Sequence, residues 1–128
     1  MRFVPTICIL LLAISVVSGG PNTGITLQQC SPNTYPDGDP YGIAVHQALY
    51  YVVKLTPNTS HYFHSDTERS TSGIIAFALG TCVLYLSAFD CGACLEAAAE
   101  DCVSQCNGHM FGTINLVDCS IRYAPLVN

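Results

Sequence analysis

Three cysteines, Cys82, Cys91 and Cys94, stand at C-x8-C-x2-C between two stretches of different character. Gly73 to Cys82 is a short apolar run bounded by turn residues, the pattern of a buried strand, and Ala88 to Cys106 is rich in helix-forming alanine. A strand and a helix therefore meet at a cluster of sulfurs. In a reducing cell such a cluster points to zinc or redox chemistry, and in an oxidising compartment to crosslinks, so the compartment decides between them.

The N-terminus indicates the oxidising compartment. Met1 and Arg2 supply a positive charge, Thr6 to Val17 is an unbroken apolar run, and Ser18, Gly19 and Gly20 are small. A run of about a dozen apolar residues matches a signal-peptide core and is too short to span a bilayer as a retained anchor. This predicts a leader over residues 1–19 and a single domain over residues 20–128. No later tract reaches the ~18 apolar residues of a membrane helix, so no membrane span is expected in the mature chain. Past the leader only Lys54, Arg69 and Arg122 remain against nine acidic residues. Nucleic acid and anionic membranes demand clustered cations, and this chain lacks them.

Taken in order, Gly24 to Cys30 alternates in part and suits a first strand. Ser31 to Gly42 holds three prolines, two glycines and two aspartates and is a loop. Asp39 and Pro40 then form an N-cap followed by proline at the first helical position. Ile43, Val45, His46, Leu49, Val52 and Val53 follow at three- and four-residue steps, predicting a helix over Tyr41 to Leu55, although its valines and tyrosines also suit a strand. Thr56 to Ser60 ends it and carries the sequon Asn58-Thr59-Ser60, which is either a glycosylated turn or an unused one. His61 to Thr67 predicts a second strand, Glu68 to Ser72 a polar turn, and Gly73 to Cys82 the third strand.

Ser87 caps the next helix with Asp90 at the capping-box position. Along Ala88 to Cys106, residues Cys91, Cys94, Leu95, Ala98, Cys102 and Cys106 share one face, with Glu96, Glu100 and Asp101 outside. Asn107 and Gly108 supply a left-handed C-terminal cap. Phe111 to Cys119 and Ser120 to Ala124 read as two last strands. Paired strands separated by single helices predict an α+β fold with an antiparallel sheet and both helices on one face.

Catalysis and metal binding fit these residues poorly. Cys91-Gly92-Ala93-Cys94 at a helix start has the spacing of a thiol redox pair, but the flanking order of elements is not the βαβ setting that chemistry uses. Cys91, Cys94, Cys102 and Cys106 have ligand-like spacing, yet one straight helix cannot wrap four ligands around an ion. His46, His61, His64 and His109 are scattered with no nucleophile motif beside them. The expectation is no enzyme, no metal and no cofactor.

Several features together resemble the plant cysteine-rich stress-antifungal domain, the ginkbilobin-like family. They are Cys30 ahead of a Pro/Gly loop and helix, Cys82-x8-Cys91-x2-Cys94, Ala93-Cys94-Leu95, Cys106-Asn107, and Leu116-Val117-Asp118-Cys119 followed by Tyr123. The resemblance implies a five-stranded antiparallel sheet, two helices and three disulfides, Cys30 with Cys106, Cys82 with Cys91, and Cys94 with Cys119. Spacing alone leaves fifteen pairings of six cysteines open. Cys102 is then left over, either as a buried inert thiol, as part of a rearranged bridge or as an intermolecular disulfide.

The family also implies a secreted, apoplastic defence protein with antifungal, lectin-like activity. Its mannose-type sugar is bound by an Asn after the first cysteine, an Arg six residues before the last and a Glu five residues after it. Those positions here are Ser31, Thr113 and Ala124, so all three ligand residues are substituted. Ser31 and Thr113 keep a hydroxyl, and Arg122 shares a face with position 124 on a regular strand. The partners implied are cell-wall glycans or mannose-type sugars. The alternative is an extracellular protein-interaction or signalling module that binds no sugar.

Overall fold

Asp39 accepts a hydrogen bond from the Tyr41 N–H at 2.9 Å with Pro40 in the first turn, and helix α1 runs from there over Pro40–Leu55. Lys54 in its last turn complements the negative end of the helix dipole. The Oγ of Ser87 accepts from the Asp90 N–H at 3.1 Å and opens helix α2, Ala88–Cys106. Gly108 just beyond it takes φ +82°, a conformation glycine adopts without penalty. The computed structural model describes residues 19–126; the expected leader, save Gly19, lies outside them.

Five strands surround these helices in sequence: β1 Ile25–Cys30, β2 Phe63–Arg69, β3 Ile75–Cys82, β4 Gly112–Leu116 and β5 Cys119–Leu126, with a 3-10 turn at Thr56–Asn58. They form one sheet in the order β1-β4-β5-β3-β2, and every neighbouring pair is antiparallel. The α+β layout expected from the sequence is thus present. Ala76, Ala78, Gly80 and Cys82 of β3 are buried and alternate with Ile75, Phe77, Leu79 and Thr81. The same alternation in β4 and β5 places Ile114, Leu116, Ile121 and Tyr123 in the core. Both helices cover that inner face, and the outer face of the sheet carries neither.

α2 buries Cys91, Cys94, Leu95, Ala98, Cys102 and Cys106, the stripe its spacing predicts. Gly80 marks the closest approach of α1 to the sheet. A Cβ there would strike Val52 Cγ1 and lie 3.0 Å from Thr56 Oγ1, so only glycine lets the helix settle on β3. Three bridges tie the layers together: Cys30–Cys106, Cys82–Cys91 and Cys94–Cys119, leaving Cys102 free and buried.

Two expectations need correction. The strand expected at His61 to Thr67 is β2, shifted two residues onward; Tyr62 at φ +47° is still in the turn, while Glu68 and Arg69 pair with Ala76 and Ile75. Charged residues suit this edge strand because they discourage further pairing, and the hairpin turn falls at Ser70 to Gly73 instead. The strand expected over Phe111 to Cys119 ends at Leu116, because buried Asp118 turns the chain by accepting the Asn22 N–H at 2.7 Å and the Tyr85 hydroxyl. Within the periodic set that predicts α1, Ile43 and His46 are exposed, and the core face passes through Tyr41, Ala44, Val45, Ala48, Leu49 and Val52.

Candidate functional site

Ser31 leaves β1 at the Cys30–Cys106 bridge and is 1% exposed. Its hydroxyl donates to the Asn33 carbonyl at 2.8 Å and accepts the Phe111 N–H at 3.1 Å; its carbonyl meets His109 Nδ1. The hydroxyl proton and one of its two lone pairs are thus used inside the molecule. Tyr123 pins the same corner by sharing its hydroxyl proton between the carbonyls of Cys106 and His109.

Thr113 and Ala124 lie on the outer face of the sheet, on β4 and β5. In the ladder Thr113 stands opposite Gln29 of β1 on one side and Arg122 of β5 on the other, and Arg122 stands opposite Leu79. Gln29, Thr113 and Arg122 therefore form a polar row across three strands beside a hollow of about 280 Å³. Ala124, two residues along from Arg122 on the same face, contributes no polar side-chain atom. Of the three family positions, then, two share a face and the third is sealed in a loop.

A different surface carries more concavity. The outer side of α1 lines two hollows of about 500 and 610 Å³ that share His46 and Tyr50, the first walled by the loop around Asp37 and the second by α2. Ile43, Tyr50 and Tyr51 stand exposed along it at 62, 57 and 43%. Lys54 Nζ sits over the Tyr50 ring, 5.7 Å from its centroid. The periodic set that predicts α1 already mixes Ile43, His46 and Val53 of this surface with buried Val45, Leu49 and Val52, and Tyr50 and Tyr51 fall outside it.

The sulfur chemistry is quiet. Burial pushes the Cys102 thiol up to about 12, away from the reactive thiolate. Burial likewise raises the phenols of Tyr41 and Tyr123, and Tyr41 donates to the Met110 carbonyl at 2.7 Å. Among the described residues no group of three His, Cys, Asp or Glu side chains is placed to hold a metal ion, and no helix is long and apolar enough to cross a membrane. Asn58 is exposed at the end of the 3-10 turn, with Nδ2 3.3 Å from the Lys54 carbonyl.

This geometry defines a small α+β domain stapled by three disulfides. The family described as salt stress response/antifungal matches residues 28–125, and the chain belongs to it. It is 25% identical over 121 residues to the antifungal protein ginkbilobin-like protein 1 of Picea sitchensis, covering 94% of this chain and 91% of that one. It is also 25% identical over 114 residues to the antifungal protein ginkbilobin-2 of Ginkgo biloba, covering 89 and 85%. Among solved structures it resembles the tandem DUF26 ectodomains of two Arabidopsis thaliana cysteine-rich receptor-like proteins. For PDLP5 the TM-score is 0.69 at 19% identity, over 79% of this chain and 49% of that one. For PDLP8 it is 0.63 at 22% identity, over 81 and 45%. The chain spans about half the length of those ectodomains, and at this identity the likeness shows the fold alone.

Proposed function

We propose that the protein is a secreted plant defence domain that acts by contact, without catalysis, and that does not bind mannose through its family's sugar positions. The observation that carries this reading is the state of those positions. Ser31 is buried with its hydroxyl committed to Asn33 and Phe111, Ala124 has no polar side-chain atom, and only Thr113 presents a hydroxyl on the sheet face. A sugar hydroxyl needs donors and acceptors that are free to answer it, and one threonine is too few. Export through a leader over residues 1–19 agrees with three disulfides, which persist in oxidising compartments such as the apoplast. In this reading Asn58, exposed beside a turn, is a glycan acceptor, and endoglycosidase treatment of the exported protein lowers its mass.

The experiment is a glycan array that includes mannan, run on the oxidised domain, with a fungal growth assay alongside. The expected result is no mannan signal and slowed hyphal growth. Mannan binding that Thr113→Ala abolishes overturns the first part, and growth unaffected at any dose overturns the defence role. A second reading has its own support in the row of Gln29, Thr113 and Arg122, which offers amide, hydroxyl and guanidinium groups on adjacent strands. It holds that a sugar site has moved along the sheet, and its mark is glycan binding lost in Arg122→Ala.

A further inference from the structure

Helix α1 is apolar on nearly every side. Seven of its residues are buried against the sheet and α2, yet Ile43, Tyr50, Tyr51 and Leu55 point outward and are 41 to 62% exposed. A helix that is hydrophobic all round is normally covered, and a contiguous exposed apolar patch marks a contact surface. Here the patch is concave, because the hollow at the N-terminal half of α1 continues into the one between α1 and α2. From Ile43 to Lys54 the groove extends about 16 Å along the helix, at 1.5 Å per residue.

Its rim is acidic. Asp37 and Asp39 stand at one end, and Glu96 and Glu100 line the wall supplied by α2. The single cation in the lining, Lys54, is held over the Tyr50 ring. The other two described cations, Arg69 and Arg122, project from the outer face of the sheet, on the far side from the helices. Four of the nine acidic residues thus line the groove, and two of the three described cations lie on the opposite face. A second copy is a poor occupant, since a two-fold contact sets the same patch against itself and brings acid to acid.

We propose that this groove docks a cationic amphipathic segment of another protein, its apolar side against Ile43, Tyr50 and Tyr51 and its Lys or Arg side chains against Asp37, Glu96 and Glu100. Apolar burial supplies affinity, and the acidic rim supplies selection and a faster encounter. The inference rests on the reading of the protein as a contact-type recognition domain. It is independent of the sugar positions, which lie elsewhere.

The test uses two synthetic amphipathic peptides of identical pattern, one of leucine and lysine, the other of leucine and glutamate. Each is titrated into the isotope-labelled oxidised domain and followed by amide chemical shifts. The lysine peptide is expected to bind saturably, to shift resonances of α1 and α2, and to weaken as salt rises; the glutamate peptide is expected not to bind. The double reversal Glu96→Lys with Glu100→Lys lowers affinity by about tenfold or more, as does Tyr50→Ser, while Arg122→Ala has no effect. Both reversals are at exposed sites, and circular dichroism verifies that each variant is folded. Equal binding of the two peptides, shifts confined to the sheet face, or indifference to the double reversal overturns the proposal. So does concentration-dependent self-association abolished by Ile43→Lys, which makes a second copy the occupant. Mannan binding in the array that Thr113→Ala abolishes overturns the reading of the sugar positions and leaves this outcome untouched, so the two failures are distinguishable.

Discussion

Ser31 and Phe111 are joined twice: the Ser31 N–H donates to the Phe111 carbonyl at 2.9 Å, and the Phe111 N–H donates to the Ser31 hydroxyl at 3.1 Å. This reciprocal pair closes the loop after β1 onto the entry to β4. The position at which the resemblance implied a sugar contact is here part of the frame. Ser31→Ala leaves the Phe111 N–H without its partner, while the Asn33 carbonyl keeps the Met110 N–H, so it is expected to cost about 1–3 kcal/mol in urea unfolding. The glycan-array profile stays unchanged. A variant of wild-type stability contradicts the structural role given to this hydroxyl.

The Cys30–Cys106 bridge spans 76 residues and links the end of β1 to the end of α2. Replacing both cysteines by alanine frees a long loop in the unfolded chain and is expected to lower stability by about 4 kcal/mol. Opening Cys82–Cys91, nine positions apart, is expected to cost less on the same entropic ground. Equal losses for the two variants, by calorimetry of each, contradict that ordering.

Gly80→Ala directs a methyl group at Val52 and Thr56, where α1 rests on β3. The helix has to lift or its side chains leave their rotamers, and the expected cost is about 1–3 kcal/mol. A melting temperature equal to that of the native protein removes the claim that this contact sets the spacing of helix and sheet.

Stability is expected to fall in alkali. The Cys102 thiol rises from 9.0 to about 12 on folding, and the phenols of Tyr41 and Tyr123 rise above their ordinary value of 10.0 because burial disfavours the charged form. The folded state keeps protons that the unfolded chain releases. This contribution is whole below the unfolded thiol value and is lost as pH climbs from there through the folded values. Urea midpoints measured across that range should decline. Cys102→Ala should decline less steeply, with the tyrosine share remaining. A flat profile contradicts the burial of these groups.

Much of this architecture was legible in the sequence, and the reasons are specific. The Asp39–Pro40 and Ser87–Asp90 signals depend on local chemistry, so the starts of both helices could be read from them. The sulfur stripe of α2 followed from helical periodicity alone. What local pattern could not show is long-range. Asp118 turns the chain between β4 and β5 because it meets Asn22, 96 positions away, and Tyr85, 33 positions away. Glu68 and Arg69 look like turn residues until β3 arrives to pair with them. The sealing of Ser31 depends on Phe111, 80 residues distant, so its identity as a small polar residue left its role open. The outer stripe of α1 was hidden because a helix with apolar residues on both sides gives no clean single face.

The most direct test of the account is peptide mapping of the non-reduced protein after alkylation under denaturing conditions. The structure predicts three crosslinked pairs, Cys30 with Cys106, Cys82 with Cys91 and Cys94 with Cys119, and alkylation at Cys102 alone. Cys102 recovered in a crosslinked peptide, or label on any of the other six, contradicts the framework on which the fold and its surfaces depend.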